Sequence, residues 1–183
     1  MKLDPSAAVQ RRQPRVLDLG CGTKKHPGAF GVDIRQRPGV DLVHDLDVIP
    51  WPLLDDSYDL VYCQDIVEHV ANVDRFVREL HRVMSTDGIV EIRTPHFTSW
   101  YAYNDPTHRH YFGYFFLDQY VLKESALSDR PLFRYINREL LFPRLHRLVG
   151  VSWLANRSPG RYEQLFCYLC PSENILIRLA AVK

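Results

Sequence analysis

The stretch Val16-Leu17-Asp18-Leu19-Gly20-Cys21-Gly22 constrains this chain more than any other. A short aliphatic run, consistent with a buried strand, ends in an acidic, glycine-rich turn. A second short run, Gly31-Val32-Asp33-Ile34, then presents a carboxylate at its C-terminal end. Glycine lets backbone approach a ligand closely, and a carboxylate can accept from two neighbouring hydroxyls in one bidentate contact. The pair predicts a nucleoside-type ligand at the C-terminal edge of a parallel sheet.

The rest of the N-terminal half supports such a sheet. Strands are expected at Arg15–Leu19, Ala29–Ile34, Val40–His44, Tyr58–Cys63 and Ile89–Arg93. Too few residues lie between Gly22 and Ala29 for a full crossover helix, so a single turn or irregular loop is expected there. Val67, Val70, Val73, Phe76, Val77, Leu80 and Val83 recur at spacings of three or four, the period of a helix, with Asn72 placed to cap a fresh start. Strand, loop, strand, helix, strand implies a parallel sheet with helices on its faces, an α/β class. After residue 95 the chain is aromatic and proline-rich, with no strand pattern up to Arg161. Glu163–Leu169 and Ile175–Val182 then read as an antiparallel hairpin around Pro171-Ser172-Glu173-Asn174.

Bulk properties exclude several classes. With 183 residues, 46% hydrophobic and 25% charged, the chain can bury a core and is not of disordered composition. A net charge near +1 argues against a nucleic-acid partner. No apolar run approaches the roughly 20 residues of a membrane span. The polar segment Met1–Arg15 lacks a signal-peptide core, so the expected location is cytoplasmic. Cys167 and Cys170 form a C-x-x-C, open to a metal or redox reading. A strand there would point them to opposite faces, which favours core cysteines.

The order of these motifs resembles the class I S-adenosylmethionine-dependent methyltransferases, of the small type with a shortened first helix. The likeness spans Arg15 to Thr94 and implies a Rossmann-like, doubly wound, seven-stranded sheet, mainly parallel with a C-terminal antiparallel hairpin. It implies one domain over 1–183, with 15–95 as cofactor-binding core, 96–161 as lid or substrate insertion and 162–183 as terminal hairpin. Asp18-Leu19-Gly20-Cys21-Gly22 matches the family's first signature and Asp33 its ribose-binding acid. Asp45-Leu46 matches the adenine-recognising position, Asp56-Ser57-Tyr58-Asp59-Leu60-Val61 the fourth-strand signature, and Glu68-His69 an acid–histidine pair that often follows it. The cofactor implied is S-adenosyl-L-methionine. Asp18 would hold the loop or attract the cofactor's ammonium group. Ile34, Leu46 and Ile66 would sandwich the adenine, and Gln64 would sit near the reacting groups. Thirteen residues separate Gly20 from Asp33, and Lys25 stands where a third glycine would complete G-x-G-x-x-G. Both facts argue against a dinucleotide. A non-catalytic cofactor-binding or scaffold protein, and another transferase on the same fold, remain alternatives.

The acceptor is less legible. His96 to Phe112 carries three histidines and six aromatic residues, enough to roof a pocket and offer a base. His108 and His110 lead as base candidates because imidazole titrates near neutral pH, with Asp105 to orient one of them and His69 as runner-up. Each could equally cap or pack the loop. His96, His108 and His110 fit no strong ligand spacing, so no metal is expected. Seven arginines and one acid between Arg130 and Arg161 give that stretch a net +6 against −5 elsewhere. A solvated helical face would explain it. A lid attracting an anionic small-molecule or lipid-linked acceptor, or peripheral contact with an anionic membrane, would explain it too. The oligomeric state is not legible.

Overall fold

The computed structural model describes residues 13–122 and 130–183; the N-terminal segment up to residue 12 lies outside them. Seven strands form one sheet: β1 (Val16–Leu19), β2 (Phe30–Asp33), β3 (Leu42–Val43), β4 (Tyr58–Gln64), β5 (Met84–Pro95), β6 (Phe133–Leu141) and β7 (Asn174–Ala181). Their order is β3-β2-β1-β4-β5-β7-β6. β7 runs antiparallel to both neighbours, and the other six strands are mutually parallel. The C-terminal ends of β1, β2, β4 and β5 therefore share one edge, where open parallel sheets bind ligands.

The buried strands are aliphatic because both faces are covered. Leu17, Leu19, Val61, Cys63, Val90 and Ile92 are almost wholly buried. The described residues form five α-helices beside the sheet: α1 (Val73–Val83), α2 (Trp100–Asn104), α3 (Arg144–Leu148), α4 (Val151–Arg157) and α5 (Pro159–Leu165). The Asn72 side chain accepts from the Arg75 amide at 3.0 Å, so α1 starts at the expected cap and not at Val67. Phe76, Val77, Leu80 and Val83 join the same core as Leu17 and Val61, each contributing about 1.5–3 kcal/mol by burial. Glu79 accepts from the buried Trp51 amide at 2.8 Å, while Arg82 donates to the carbonyls of Trp51 and Leu53. Two α1 side chains thus strap down the proline-rich loop before β4.

The antiparallel C-terminal pair differs from expectation in its first strand. Glu163–Leu169 is the end of α5 and a turn, and the partner of β7 is β6, inside the stretch expected to hold no strand. The register of β6 shifts between Tyr135 and Asn137, so Ile136 faces outward and breaks the alternation that would mark a strand. Pro159 at the start of α5 sets a helix running toward the alternating residues Leu165–Leu169. Of those only Cys167 is buried, and its thiol donates to the Glu163 carbonyl, one helical turn back. All four cysteines are free thiols. β6 is the outer strand. Asn156 of α4 accepts from the Leu140 amide at 2.7 Å and donates to the Leu140 carbonyl at 2.9 Å.

Candidate active site

The glycine turn is built by β1 and β2 together. Gly20 and Gly22 have φ of +67° and +53°, and the amides of Gly20 and Cys21 both donate to the Val32 carbonyl. A Cβ on Gly20 would lie 1.9 Å from Ile66 Cδ1, so this glycine makes room for an isoleucine arriving from beyond β4. Asp18 is 4% exposed, and its carboxylate accepts from the His26 amide at 2.7 Å. Burial pushes its carboxyl up, against the opposing pull of that hydrogen bond. His26 in turn stacks on Tyr62 at 3.6 Å, covering the sheet where a crossover helix is missing. Asp18 is thus a loop anchor.

Asp33 accepts from the Gly22 amide through Oδ2 and from the Arg35 amide through Oδ1, each at 2.9 Å. A carboxylate offers about four lone-pair sites, so both oxygens can still accept a ligand hydroxyl. A recess of about 120 Å³ at this point is lined by Gly20, Asp33, Ile34, Leu46, Ile66 and His69, with His44, Asp47 and Val70. One glycine, the Asp33 carboxylate beside a second acid, and a ring of aliphatic side chains suit a flat heterocycle joined to a diol. Gly22 holds Asp33 in place, while Cys21 is buried against β2, and Gln64 ends β4 outside the recess lining. Asp45 is exposed and accepts from the Asp47 amide at 3.0 Å; it does not line the recess. The acid on the wall is Asp47, two residues on, and the repeat Asp45-Leu46-Asp47 was the signal for it. His44 and Val70 had no sequence signal.

A larger cleft of about 700 Å³ adjoins the recess, with His69 lining both. Its walls come from Asp65, Glu68 and His69 after β4, Arg93 and Pro95 of β5, Tyr101 to His108 around α2, and Glu173 and Asn174. Asp65 is left-handed at φ +54° and ion-paired to Arg93, which leaves the acids in excess. None of the lining residues belongs to the basic stretch 130–161, so that stretch is no lid over this cleft. Arg134 pairs with Asp87 instead. Arg138 sits over the Tyr114, Phe115 and Tyr135 rings and pairs with Asp118 at 2.6 Å.

Three of the expected catalytic residues meet in the cleft and one does not. His110 donates or accepts through Nε2 at the Val70 carbonyl, 2.9 Å away, and lies outside the cleft lining. A carbonyl only accepts, so His110 is the donor. By the same rule His108 donates Nδ1–H to the Ala102 carbonyl at 2.9 Å, leaving Nε2 with a lone pair. The Thr107 hydroxyl donates to Asp105 at 2.6 Å, so it accepts Nδ1–H of His69 at 2.9 Å. Asp105 thereby orients His69 through Thr107, and Nε2 of His69 also carries a lone pair. The two rings meet edge to face, with centroids 4.6 Å apart. Burial, then the His108 charge, pushes the His69 pKa down.

Glu68 completes the group. It is 1% exposed; Oε2 accepts from the Thr94 hydroxyl at 3.0 Å, and Oε1 is buried with no hydrogen-bond partner. Burial raises its carboxyl to about 7. His96 is fully buried elsewhere, between Thr98 and Glu163, so the histidines of the aromatic loop do not converge among themselves.

Known proteins resemble this chain in the same region. A family model described as a methyltransferase domain matches residues 2–123. The uncharacterized methyltransferase YcgJ of Bacillus subtilis (strain 168) is 26% identical over 142 residues, covering 65% of this chain and 50% of that protein. The chain thus spans about half the length of that curated relative. Among solved structures, a SAM-dependent methyltransferase from Archaeoglobus fulgidus aligns with TM-score 0.61 at 22% identity, over 91% of this chain and 86% of that one. An S-adenosylmethionine-dependent methyltransferase from Mesorhizobium loti aligns with TM-score 0.53 at 18% identity, over 91% and 90%. At these identities the two structures speak for the fold.

Proposed function

The chain belongs to the methyltransferase-domain family, and from that premise we propose that it transfers a methyl group from S-adenosylmethionine to a small acceptor held in the acidic cleft. When bound, S-adenosylmethionine supplies an electrophilic methyl group on a sulfonium sulfur. Gly20 and the Asp33 carboxylate hold the nucleoside, with Ile34, Leu46 and Ile66 against its ring. The Glu68–His69–His108 group withdraws the acceptor's proton, because all three residues line the cleft and Nδ1–H of each histidine is already committed. The observation that carries this reading is the shared wall: His69 lines both the nucleoside recess and the cleft, so donor and acceptor meet at one side chain.

Calorimetric titration of the folded protein with S-adenosylmethionine, or with its demethylated product, tests the reading. Micromolar binding is expected. No heat at millimolar ligand would overturn it.

A lipid-linked acceptor is the second reading, supported by the surface of α3 to α5. Leu148 and Tyr168 are 74% and 81% exposed, and Leu145, Trp153 and Leu154 are exposed beside Arg144, Arg147 and Arg157. An apolar groove of about 330 Å³ lies between α4 and α5. Apolar side chains ringed by arginine suit an anionic membrane surface. Co-sedimentation with phosphatidylglycerol vesicles, and none with phosphatidylcholine vesicles, is the expected result; equal or absent sedimentation with both rejects it. No helix among the described residues is long and apolar enough to cross a membrane.

A further inference from the structure

We propose that Glu68, His69 and His108 form a binding site for one divalent transition-metal ion, placed between the nucleoside recess and the acceptor cleft. One ligand atom from each of the three residues lies within 4.8 Å of the other two, the one such grouping among the described residues. Donors on a single ion with bonds near 2.1 Å lie at most about 4.2 Å apart, so side-chain rotations of under about 1 Å close the set.

The hydrogen bonds prepare these groups as ligands. His108 is fixed by Nδ1–H on the Ala102 carbonyl, and His69 by Nδ1–H on Thr107, itself held by Asp105. Each partner fixes the tautomer that keeps Nε2 unprotonated, the outer-shell arrangement of metal-bound histidines. Glu68 Oε1 is the independent observation. An unpartnered carboxylate oxygen in a residue 1% exposed costs stability unless something positive meets it. No side chain donates to that oxygen, and acids outnumber arginines in the cleft wall. Asp65, Asp105 and Glu173 line the same cleft, and its Arg93 is already paired with Asp65.

Two imidazoles and one carboxylate suit zinc, iron(II) or manganese(II), and leave coordination positions open. The three residues line the cleft, so an ion held by them suits an acceptor with two adjacent oxygens, such as a catechol, an α-hydroxy acid or a vicinal diol. That role, though not the binding itself, rests on the methyl-transfer reading. With the ion bound the three side chains serve as ligands in place of acting as the base: the ion stabilises the anion of the acceptor oxygen, so its proton leaves to water at neutral pH. It also resolves a conflict of charge, since an anionic acceptor would otherwise meet an acidic cleft.

Chelator-treated full-length protein is titrated with zinc chloride and with manganese chloride by calorimetry. One ion per chain is expected, with affinity at least tenfold weaker in each of Glu68→Gln and His108→Ala. The same samples are titrated with S-adenosylmethionine, which both variants should bind like the wild type, showing that they are folded. His108→Asp, which puts a carboxylate ligand in place of the imidazole, should bind manganese more tightly than His108→Ala. No metal uptake by the wild type at millimolar ion, or uptake unchanged by both substitutions, overturns the proposal. A wild type that takes up metal but not S-adenosylmethionine supports the metal site and defeats the methyl-transfer reading instead.

Discussion

The Gly22 amide donates to the Asp33 carboxylate at 2.9 Å, tying the turn after β1 to the end of β2. Asp33 therefore has two duties, one structural and one toward the ligand. Asp33→Ala should weaken S-adenosylmethionine binding at least tenfold in calorimetry. It should also cost about 1 kcal/mol in chemical denaturation, because the Gly22 and Arg35 amides lose their partner. Unchanged affinity would show the diol assignment to be wrong.

Gly20 and Gly22 should respond unequally to alanine. Both have positive φ, which costs an L-residue about 1–2 kcal/mol. Only at Gly20 does a methyl group collide, and it collides with a side chain that lines the nucleoside recess. Gly20→Ala should lower S-adenosylmethionine affinity well beyond Gly22→Ala, and adding Ile66→Ala should recover part of the loss. Equal effects at the two glycines would remove Ile66 from the recess.

Arg138 should behave as a structural arginine. It pairs with Asp118 beneath three aromatic rings and donates to the Tyr114 carbonyl at 3.1 Å. Arg138→Ala leaves Asp118 and Tyr135 without that cation and should cost about 3 kcal/mol in urea unfolding. Arg134→Ala, at an exposed pair, should cost under about 1 kcal/mol. Similar losses at both sites would place the two arginines in equivalent settings.

Glu79 gives the acid limb of the stability curve a definite sign. Its hydrogen bonds from Arg82, and then from the Trp51 amide, hold its carboxyl below the usual glutamate value. A lowered folded pKa contributes stability that is fully present above the unfolded value, about 4.3. That contribution is lost as pH falls from there through the folded value. Glu79→Gln should be less stable at pH near 7 and show a flatter decline below about pH 4.3. Parallel curves for the two proteins would contradict this account.

What the sequence made legible was local. The strand–turn–strand unit, the Asn72 cap and the helical spacing of Phe76, Val77, Leu80 and Val83 each follow from neighbours within a few residues. β6 was hidden because the bulge at Ile136 interrupts its period, and the apolar alternation at Leu165–Leu169 belongs to a helix end and turn. Asp45 and Asp47 flank Leu46 symmetrically in sequence, and only the turn geometry puts Asp47 on the recess wall and leaves Asp45 off it. The cleft is assembled from four distant segments, so its acidity appears in no single window, whereas the basic stretch 130–161 does and misleads. The free lone pairs of His69 and His108 depend on Thr107 and Ala102, partners that residue identity alone does not name.

Asn156 occupies both the amide and the carbonyl of Leu140 on the outermost strand. A side-chain amide there takes the place that another molecule's backbone would fill, like a stopper in an open zipper. A strand seeking to pair along the nine residues of β6 meets a filled position near its C-terminal end, so intermolecular sheet extension is interrupted there by the chain's own fold. One asparagine far from the chemistry thus closes that end of the sheet's edge against a second molecule's backbone.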